Sequence, residues 1–556
     1  MSEQARTGGQ ILVDQLLAQG VDHATCVPGE SYLAVLDALH DAAIDVVVCR
    51  NEGGATMMAE AAGKLTGRPG ICFVTRGPGA TNASPGIHIA KQDSTPLILF
   101  VGQVDRSMRE REAFQEVDYR AVFGPLAKWA TEIDDAARIP EIVARAFRVA
   151  MQGRPGPVVI ALPEDILTDM ATVADAPRVT PVEPWPGPSA IQELGRMLGE
   201  AERPFVILGG SRWDEASRAA MVRFAEKFDL PVGTSFRRAD LFPAANPNYA
   251  GDVGINPGPK LTERVKSADV LVVVGGRMSE MPSSSYTLID VPSPRQRLVH
   301  VYPDATELGR VYQPALAIEA SPAAFGAALD ALAPPAEIRW RAEREAARAA
   351  YLERTASPRT LPGGFQFGEV ATWLRDRLPE DAILANGAGN FAVWVHRYIR
   401  LGRKGRQLAP TSGSMGYGVP AGIMAKRLHP ERIVVAFAGD GDFLMNGQEF
   451  ATAVQHQIPV LVVILDNGMY GTIRMHQERD YPGRVSGTRL VNPNFADYAR
   501  AFGGHGERVE RTEDFAPAFE RALESGRPAI LHCIVDPEAL TPERTLSEIR
   551  DAAKRG

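Results

Sequence analysis

Short apolar runs that end in glycine-rich turns and lead into helical segments recur along this chain, and that alternation restricts it to one class of architecture. Ile11 to Gln19 has helical periodicity with Gly20 as its stop, and His23 to Val27 reads as a strand. Pro28-Gly29-Glu30-Ser31 turns into a helix through Leu39. Strands over Ile44 to Arg50, Ile71 to Thr75 and Pro96 to Gly102 follow. Between them lie a turn from Asn51 to Gly54, an Ala-rich helix from Ala55 to Leu65, and a helix opened by Arg76 to Asn82. Repeated βα units predict doubly wound parallel sheets of the α/β class, with ligands at the carboxyl ends of the strands.

At 556 residues the chain is too long for one core, which suggests three to four domains. Pro177, Pro181, Pro184, Pro186 and Pro188 make a stiff stretch that reads as a linker. Phe205 to Gly209, Val270 to Gly275 and Arg297 to Tyr302 are strands of a second α/β segment, closed by Pro334-Pro335. Glu337 to Arg354 reads as a charge-rich, solvated connector helix, and Pro362-Gly363-Gly364 introduces a third α/β segment. The expected domains are 1–176, 189–335 and 360–540, with 541–556 as an exposed helical tail. No repeat of solenoid length is present.

A net charge of -8 gives no electrostatic reason to expect nucleic acid or an anionic membrane as partner. No apolar run approaches the roughly 18 residues needed to span a bilayer, and Met1 to Arg6 lacks the apolar core of a signal peptide. The expectation is a cytoplasmic protein. The four cysteines are scattered; Cys26, Cys49 and Cys72 lie in or at the end of strands and read as buried, reduced thiols. The ten histidines form no HExxH or HxH pair, which argues against zinc and Cys–His catalysis.

The stretch from Ala438 to Gly471 carries the strongest chemical signal. An apolar strand (Ile433 to Phe437) runs into Gly439-Asp440-Gly441, a helical segment follows, and a second strand (Val460 to Leu465) delivers Asp466-Asn467-Gly468. Singly, Asp440 and Asn467 are ordinary cap or turn residues. Together they place two hard oxygen ligands at neighbouring strand ends, beside glycines that leave room for a phosphate and a helix N-terminus that attracts one. Magnesium takes six oxygens, and the Met469 carbonyl is the natural third protein donor.

This GDG-to-Asn pattern resembles the signature of thiamine diphosphate-dependent enzymes. CVPGESYLAVLDAL, CRNEGGATMMAEAAGKLTG, VTRGPGATN, KQDSTPLILFVGQV, AFQEVD and GSMGYGVPAG occur in the order found in the acetolactate synthase and pyruvate oxidase group, and the similarity covers nearly the whole length. The resemblance implies a pyrimidine-binding, a middle and a diphosphate-binding domain, in a homodimer or homotetramer with active sites between subunits. It makes Glu52 the partner of the pyrimidine ring nitrogen, where its hydrogen bond favours the imino tautomer and so activates the cofactor. It places Pro28, Gly29, Pro78 and Asn82 along the pyrimidine, the Gly413 carbonyl on the exocyclic amine, and Met415 between the two rings. The diphosphate and magnesium fall to Gly387, Asn390, Gly439, Asp440, Gly441, Asp442, Asn467, Met469 and Tyr470. Gln115 would reach the reacting carbonyl, with Glu30, Phe114, Thr472 and His476 around the substrate.

The implied activity is thiamine diphosphate- and magnesium-dependent decarboxylation of a 2-oxoacid such as pyruvate, with ligation to a second carbonyl compound. A 2-hydroxyacyl-CoA lyase or oxalyl-CoA decarboxylase would share the same machinery. His476 stands where acetolactate synthases carry an acceptor-shaping Trp, so the acceptor stays open, and Glu30 stands where many carry a small residue. Gly387-Ala388-Gly389-Asn390 lacks the third glycine of a dinucleotide fingerprint. The middle segment keeps Arg277 but lacks the acidic pattern linked with flavin, which leaves FAD open. Arg237-Arg238 would be the anchor for a CoA nucleotide, if they are not simply a solvated pair.

Overall fold

A computed structural model describes residues 4–555. It contains three parallel sheets of six strands each and one small antiparallel pair joining Arg6–Thr7 to Met170–Ala171. The first sheet comprises β1 (His23–Cys26), β2 (Asp45–Val48), β3 (Gly70–Val74), β4 (Leu97–Gln103), β5 (Trp129–Glu132) and β6 (Pro157–Pro163), in the order β2-β1-β3-β4-β6-β5. The second comprises β7 (Pro204–Leu208), β8 (Val232–Ser235), β9 (Tyr249–Val253), β10 (Val270–Val274), β11 (Arg297–Tyr302) and β12 (Leu316–Glu319), in the order β9-β8-β7-β10-β11-β12. The third comprises β13 (Ile383–Asn386), β14 (Arg406–Leu408), β15 (Val434–Gly439), β16 (Leu461–Asp466), β17 (His505–Val509) and β18 (Ala529–Ile534), in the order β14-β13-β15-β16-β18-β17.

The first and third sheets therefore share one topology. In each, the chain reverses its direction of sheet growth between the first and third strands, and the crevice at such a switch point is where open α/β sheets bind ligands. At the first sheet this point lies between the loops after β1 and β3, which carry Pro28-Gly29 and Gly77-Pro78. At the third it lies between the loops after β13 and β15, which carry Gly387 and Gly439-Asp440-Gly441. The strands are apolar throughout, as β6 shows with every residue buried, because parallel sheets are covered on both faces.

One continuous core joins these two domains. Helix α1 (Glu52–Thr66) packs against helix α3 (Gly418–Leu428), so that Met57 and Met58 share a cluster with Ile423 and Met424. Beneath it, Glu60 is fully buried and accepts hydrogen bonds from Thr95 Oγ1 (2.6 Å) and Tyr417 Oη (2.5 Å). Lys64 pairs with Asp93, and Asp93 also accepts from the Thr411 amide (2.8 Å). A buried charge network of this kind persists only when each member is bonded. All four cysteines are free and buried, as the strand positions of Cys26, Cys49 and Cys72 predict for those three. Among the described residues no helix is long and apolar enough to cross a membrane.

Three sequence readings need correction. The turn at Asn51–Gly54 is the helix start: Asn51 caps α1 by accepting from the Gly53 amide (2.8 Å), so Glu52 stands in its first turn. The connector helix α2 runs Arg341–Ala356 and is not simply solvated, since Trp340 and Ala347 are buried and Tyr351 meets Tyr249 edge-on at 5.0 Å. The tail helix, Leu546–Arg555, is docked rather than exposed: Leu546 and Ile549 are buried and Arg550 Nε donates to Glu478 Oε2 at 2.9 Å. Met1–Glu3 and Gly556, parts of the leader and tail readings, lie outside the described residues.

Candidate active site

At the third sheet, β15 and β16 run side by side, with Gly439 opposite Leu465, so Asp440 and Asn467 emerge at one rim as their spacing predicts. Helix α4 (Asp440–Asn446) starts there and turns its first amides toward the crevice. A cavity of about 240 Å³ fills this end of the domain. It is lined by Gly389, Asn390, Gly413, Met415, Gly439, Asp440, Gly441, Asp442, Asn467, Met469, Tyr470 and Thr472, together with Phe391, Leu465 and Leu540. Nearly every residue assigned to the diphosphate and magnesium is thus brought together.

Asp440 is only 3% exposed. Its Oδ2 accepts from Asn492 Nδ2 (2.7 Å), which also donates to Asp466 Oδ1 (2.9 Å), and Asp466 Oδ2 lies 2.9 Å from His532 Nε2. Burial pushes the Asp440 carboxyl up to about 6, and the neighbouring Asp466 adds to the push. A divalent cation at this rim would reverse that penalty. Asn467 Oδ1 accepts from the Met469 amide (3.3 Å), which holds the turn that presents the Met469 carbonyl. Among the described residues no group of three or more His, Cys, Asp or Glu side chains is arranged around a metal; the expected set of one carboxylate, one amide and one carbonyl is of a different kind.

The glycines here have individual reasons. A Cβ on Gly387 would lie 2.1 Å from the Asp442 carboxylate, and one on Gly441 2.5 Å from the Tyr470 ring. Gly387 therefore lets Asp442 brace the cradle. Asp442 Oδ1 accepts from the amides of Gly416 (2.7 Å) and Ala388 (3.3 Å), tying the Met415 segment to the loop after β13, while its buried Oδ2 has no protein partner. Burial pushes this carboxyl up to about 7. Gly413 has φ of +67°, and nothing lies within 4 Å of where a Cβ would stand. A carboxylate, an amide and a carbonyl at one rim, beside Gly439 and Gly441 in the cavity lining, fit magnesium and a diphosphate.

Asn390 is held differently from the expectation. Its Nδ2 donates to Leu540 O (3.1 Å) and its Oδ1 accepts from Thr472 Oγ1 (3.0 Å), so it latches the tail segment onto the cavity. Neighbouring Phe391 packs its ring beside Gly389 and Gly439. His476 is absent from the lining: on helix α5 (Gly471–Asp480) it follows Thr472, which faces the cavity, on much the same face but one turn further along the helix, past the cavity's edge.

The pyrimidine-side residues gather at the first sheet's switch point. Asn82 Nδ2 donates to Glu52 Oε2 (3.1 Å), and a Cβ on Gly79 would lie 3.2 Å from Glu52 Oε1. A Cβ on Gly77 would meet Gln115 Cβ at 2.8 Å, which places Gln115 beside Pro78; Phe114 is 72% exposed. None of Pro28, Gly29, Glu30, Glu52, Pro78, Asn82, Phe114 or Gln115 lines the diphosphate cavity of the same chain.

Sequence reasoning missed Glu449. This fully buried carboxylate of the third domain accepts from the amides of Arg50 (3.1 Å) and Asn51 (2.8 Å) and from Thr452 Oγ1 (2.6 Å). It thereby fixes the residues that launch α1 and aim Glu52. Its place nine residues after Asp440, in a helical run, gave no sign of this. Glu449→Ala is expected to lower turnover about a hundredfold, the cost of roughly 1 Å of misplacement, with cofactor affinity little changed. Glu449→Gln, which keeps an acceptor, should recover most of the loss; parallel turnover and binding assays separate the two.

Arg237 and Arg238 are not a solvated pair. Both are buried; Arg238 pairs with Asp240 (3.1 Å), and Arg237 Nη1 donates to Gly387 O (3.1 Å). Arg237 also lines a cavity of about 370 Å³ between the middle and third domains, with Asp252, Tyr351 and His396. At the middle sheet's switch point, between β7 and β10, a Cβ on Gly210 would lie 1.7 Å from Gly275 O, and Trp213 Nε1 donates to Gly209 O (2.7 Å). The two loops touch where a dinucleotide crevice would open. Arg277 donates to Gln92 O of the first domain (2.7 Å).

Comparison with known families meets this geometry. Residues 6–122 match the thiamine pyrophosphate enzyme N-terminal TPP binding domain, 191–332 the central domain, and 387–533 the C-terminal TPP binding domain. The chain belongs to the thiamine pyrophosphate enzymes. Within them it is similar to an acetolactate synthase large subunit of Parasynechococcus marenigrum, 32% identical over 95% of this chain and 87% of that protein. The acetolactate synthase isozyme 2 large subunit of Escherichia coli is 31% identical over 95% of each chain. The isozyme 1 large subunit of the same organism is 31% identical over 96% of this chain and 94% of its own. Both the first and the third domain thus match segments described as TPP binding.

Proposed function

We propose that this enzyme decarboxylates a pyruvate-like 2-oxoacid with thiamine diphosphate and magnesium and ligates the product to a second carbonyl compound, as its acetolactate synthase relatives' names indicate for them. The observation that carries the reading is the pair of equivalent switch points, one holding a diphosphate and metal cradle and the other presenting Glu52. When bound, thiamine diphosphate supplies the electron sink for decarboxylation.

The protein's own groups do the rest. Asp440, Asn467 and the Met469 carbonyl would hold magnesium, and the first amides of α4 would face the diphosphate. The Gly413 carbonyl and Met415 side chain would support the bound cofactor from the third domain. Glu52 shares a proton with the pyrimidine nitrogen, steadied by Asn82. Gln115 and Phe114 face the carbonyl compounds, and the cover of Leu540 and Tyr470 excludes water. No role is assigned to a flavin. The CoA-dependent alternative loses its anchor, since Arg237 and Arg238 are bonded inside the protein. We place the enzyme in the cytoplasm.

A second copy completes the site. In one chain Glu52 lies outside the diphosphate cavity, while Phe114, Leu444, Met445 and Ile473 are exposed apolar residues on the two half-site regions. A homodimer that brings the first domain of one subunit to the third domain of the other buries them and joins the halves. Mixing inactive Glu52→Gln and Asp440→Ala proteins with subunit exchange should then restore up to about a quarter of wild-type activity, because half the dimers are hybrids and each has one intact site. Activity measured against mixing time tests this; no recovery despite proven exchange would place both residues in one subunit's site.

A further inference from the structure

Glu30 stands at the first domain's rim without a part in holding the cofactor. We propose that Glu30, fixed in place by Arg76, turns the enzyme toward an uncharged carbonyl acceptor and against a second 2-oxoacid; this rests on the carboligase reading above.

Arg76 follows β3 by two residues, and its side chain is 9% exposed. Its Nη2 donates to Glu30 Oε1 (3.0 Å) and its Nη1 to Glu164 Oε2 (2.8 Å). Two carboxylates share one guanidinium, so the cluster carries a net formal negative charge. The Glu30 side chain is 66% exposed, which directs that charge at the rim. The turn beneath it is rigid. Ser31 Oγ lies 2.9 Å from Thr75 Oγ1, and a Cβ on Gly102 would lie 1.9 Å from that same oxygen. A Cβ on Gly29, next to Glu30, and one on Gly79, beside Glu52, would both meet the Thr75 side chain, at 2.3 and 2.8 Å, so Glu30 stands on the same switch-point turn that Glu52 faces.

In either coupling the donor's C1–C2 bond breaks with loss of carbon dioxide. A bond forms from donor C2 to the acceptor carbonyl carbon, and the acceptor oxygen takes up a proton from water. The acceptors differ in charge: a 2-oxoacid brings a carboxylate, an aldehyde none. Selection by repulsion needs only a fixed like charge near the entering group. At a solvated rim such a charge is worth about a three- to tenfold difference.

The test uses the full chain with thiamine diphosphate and magnesium, pyruvate as common donor, and 2-oxobutyrate and acetaldehyde in competition. In Glu30→Gln the ratio of 2-oxoacid-coupled to aldehyde-coupled product should rise about three- to tenfold, and the rise should shrink at high salt. Glu30→Asp should keep the wild-type ratio. An unchanged ratio in Glu30→Gln overturns the proposal. Titration of the cofactor-loaded proteins with pyruvate, followed by NMR line broadening, gives a readout independent of turnover. If wild type couples nothing, the carboligase reading falls, and equal pyruvate affinities in wild type and Glu30→Gln then overturn the role given to Glu30.

Discussion

Glu52→Gln is expected to leave a folded protein that binds thiamine diphosphate and magnesium almost as wild type does, yet turns over about a hundred- to ten-thousandfold more slowly. The substitution is nearly isosteric, and Asn82 can still bond the side chain. The helix start that carries it is fixed by the Asn51 cap and by Glu449, neither of which is touched. An amide cannot share the proton that a carboxyl group holds at the pyrimidine nitrogen. Binding and turnover should therefore separate. Calorimetry with the cofactor and a decarboxylation assay on the same preparation check it, and full activity would remove Glu52 from the catalytic proposal.

Asp440→Ala should fail at the opposite step. It removes the one carboxylate among the three protein donors proposed for magnesium, through which a bound diphosphate would be held to the protein. Loss of affinity for magnesium and thiamine diphosphate by more than about a hundredfold is expected, the upper end of what even the groups around metal ligands contribute. The fold should survive, because the deletion relieves a carboxyl that burial and Asp466 disfavour, although Asn492 loses one acceptor. Unchanged cofactor affinity would sink the metal assignment.

The parts of this protein written in local pattern were legible beforehand. The βα alternation, the glycines around Asp440 and the 27 residues from Asp440 to Asn467 all report on neighbours in sequence or on adjacent strands, and they placed Asp440 and Asn467 at one rim of the third sheet. What stayed hidden depends on contacts between distant segments. Glu449 has the surroundings of a surface helix residue, and only the packing of the third domain on the first makes it the clamp on Asn51. Asn492 and Leu540 reach the site from loops far along the chain. The charges of α2 mask the Ala347 and Tyr351 positions that pack on the middle domain. Arg237 and Arg238 looked solvated because their partners, the Gly387 carbonyl and Asp240, are set by tertiary structure.

The reading as a whole stands on one assay. Purified protein with thiamine diphosphate and magnesium is offered pyruvate and 2-oxobutyrate, and separately oxalyl-CoA and a 2-hydroxyacyl-CoA, while carbon dioxide and products are followed by NMR. The account predicts carbon dioxide release from the 2-oxoacids with a carbon–carbon coupled product, dependent on both cofactors and slowed at least about a hundredfold in Glu52→Gln. Turnover confined to the CoA thioesters, with the 2-oxoacids untouched, would contradict it.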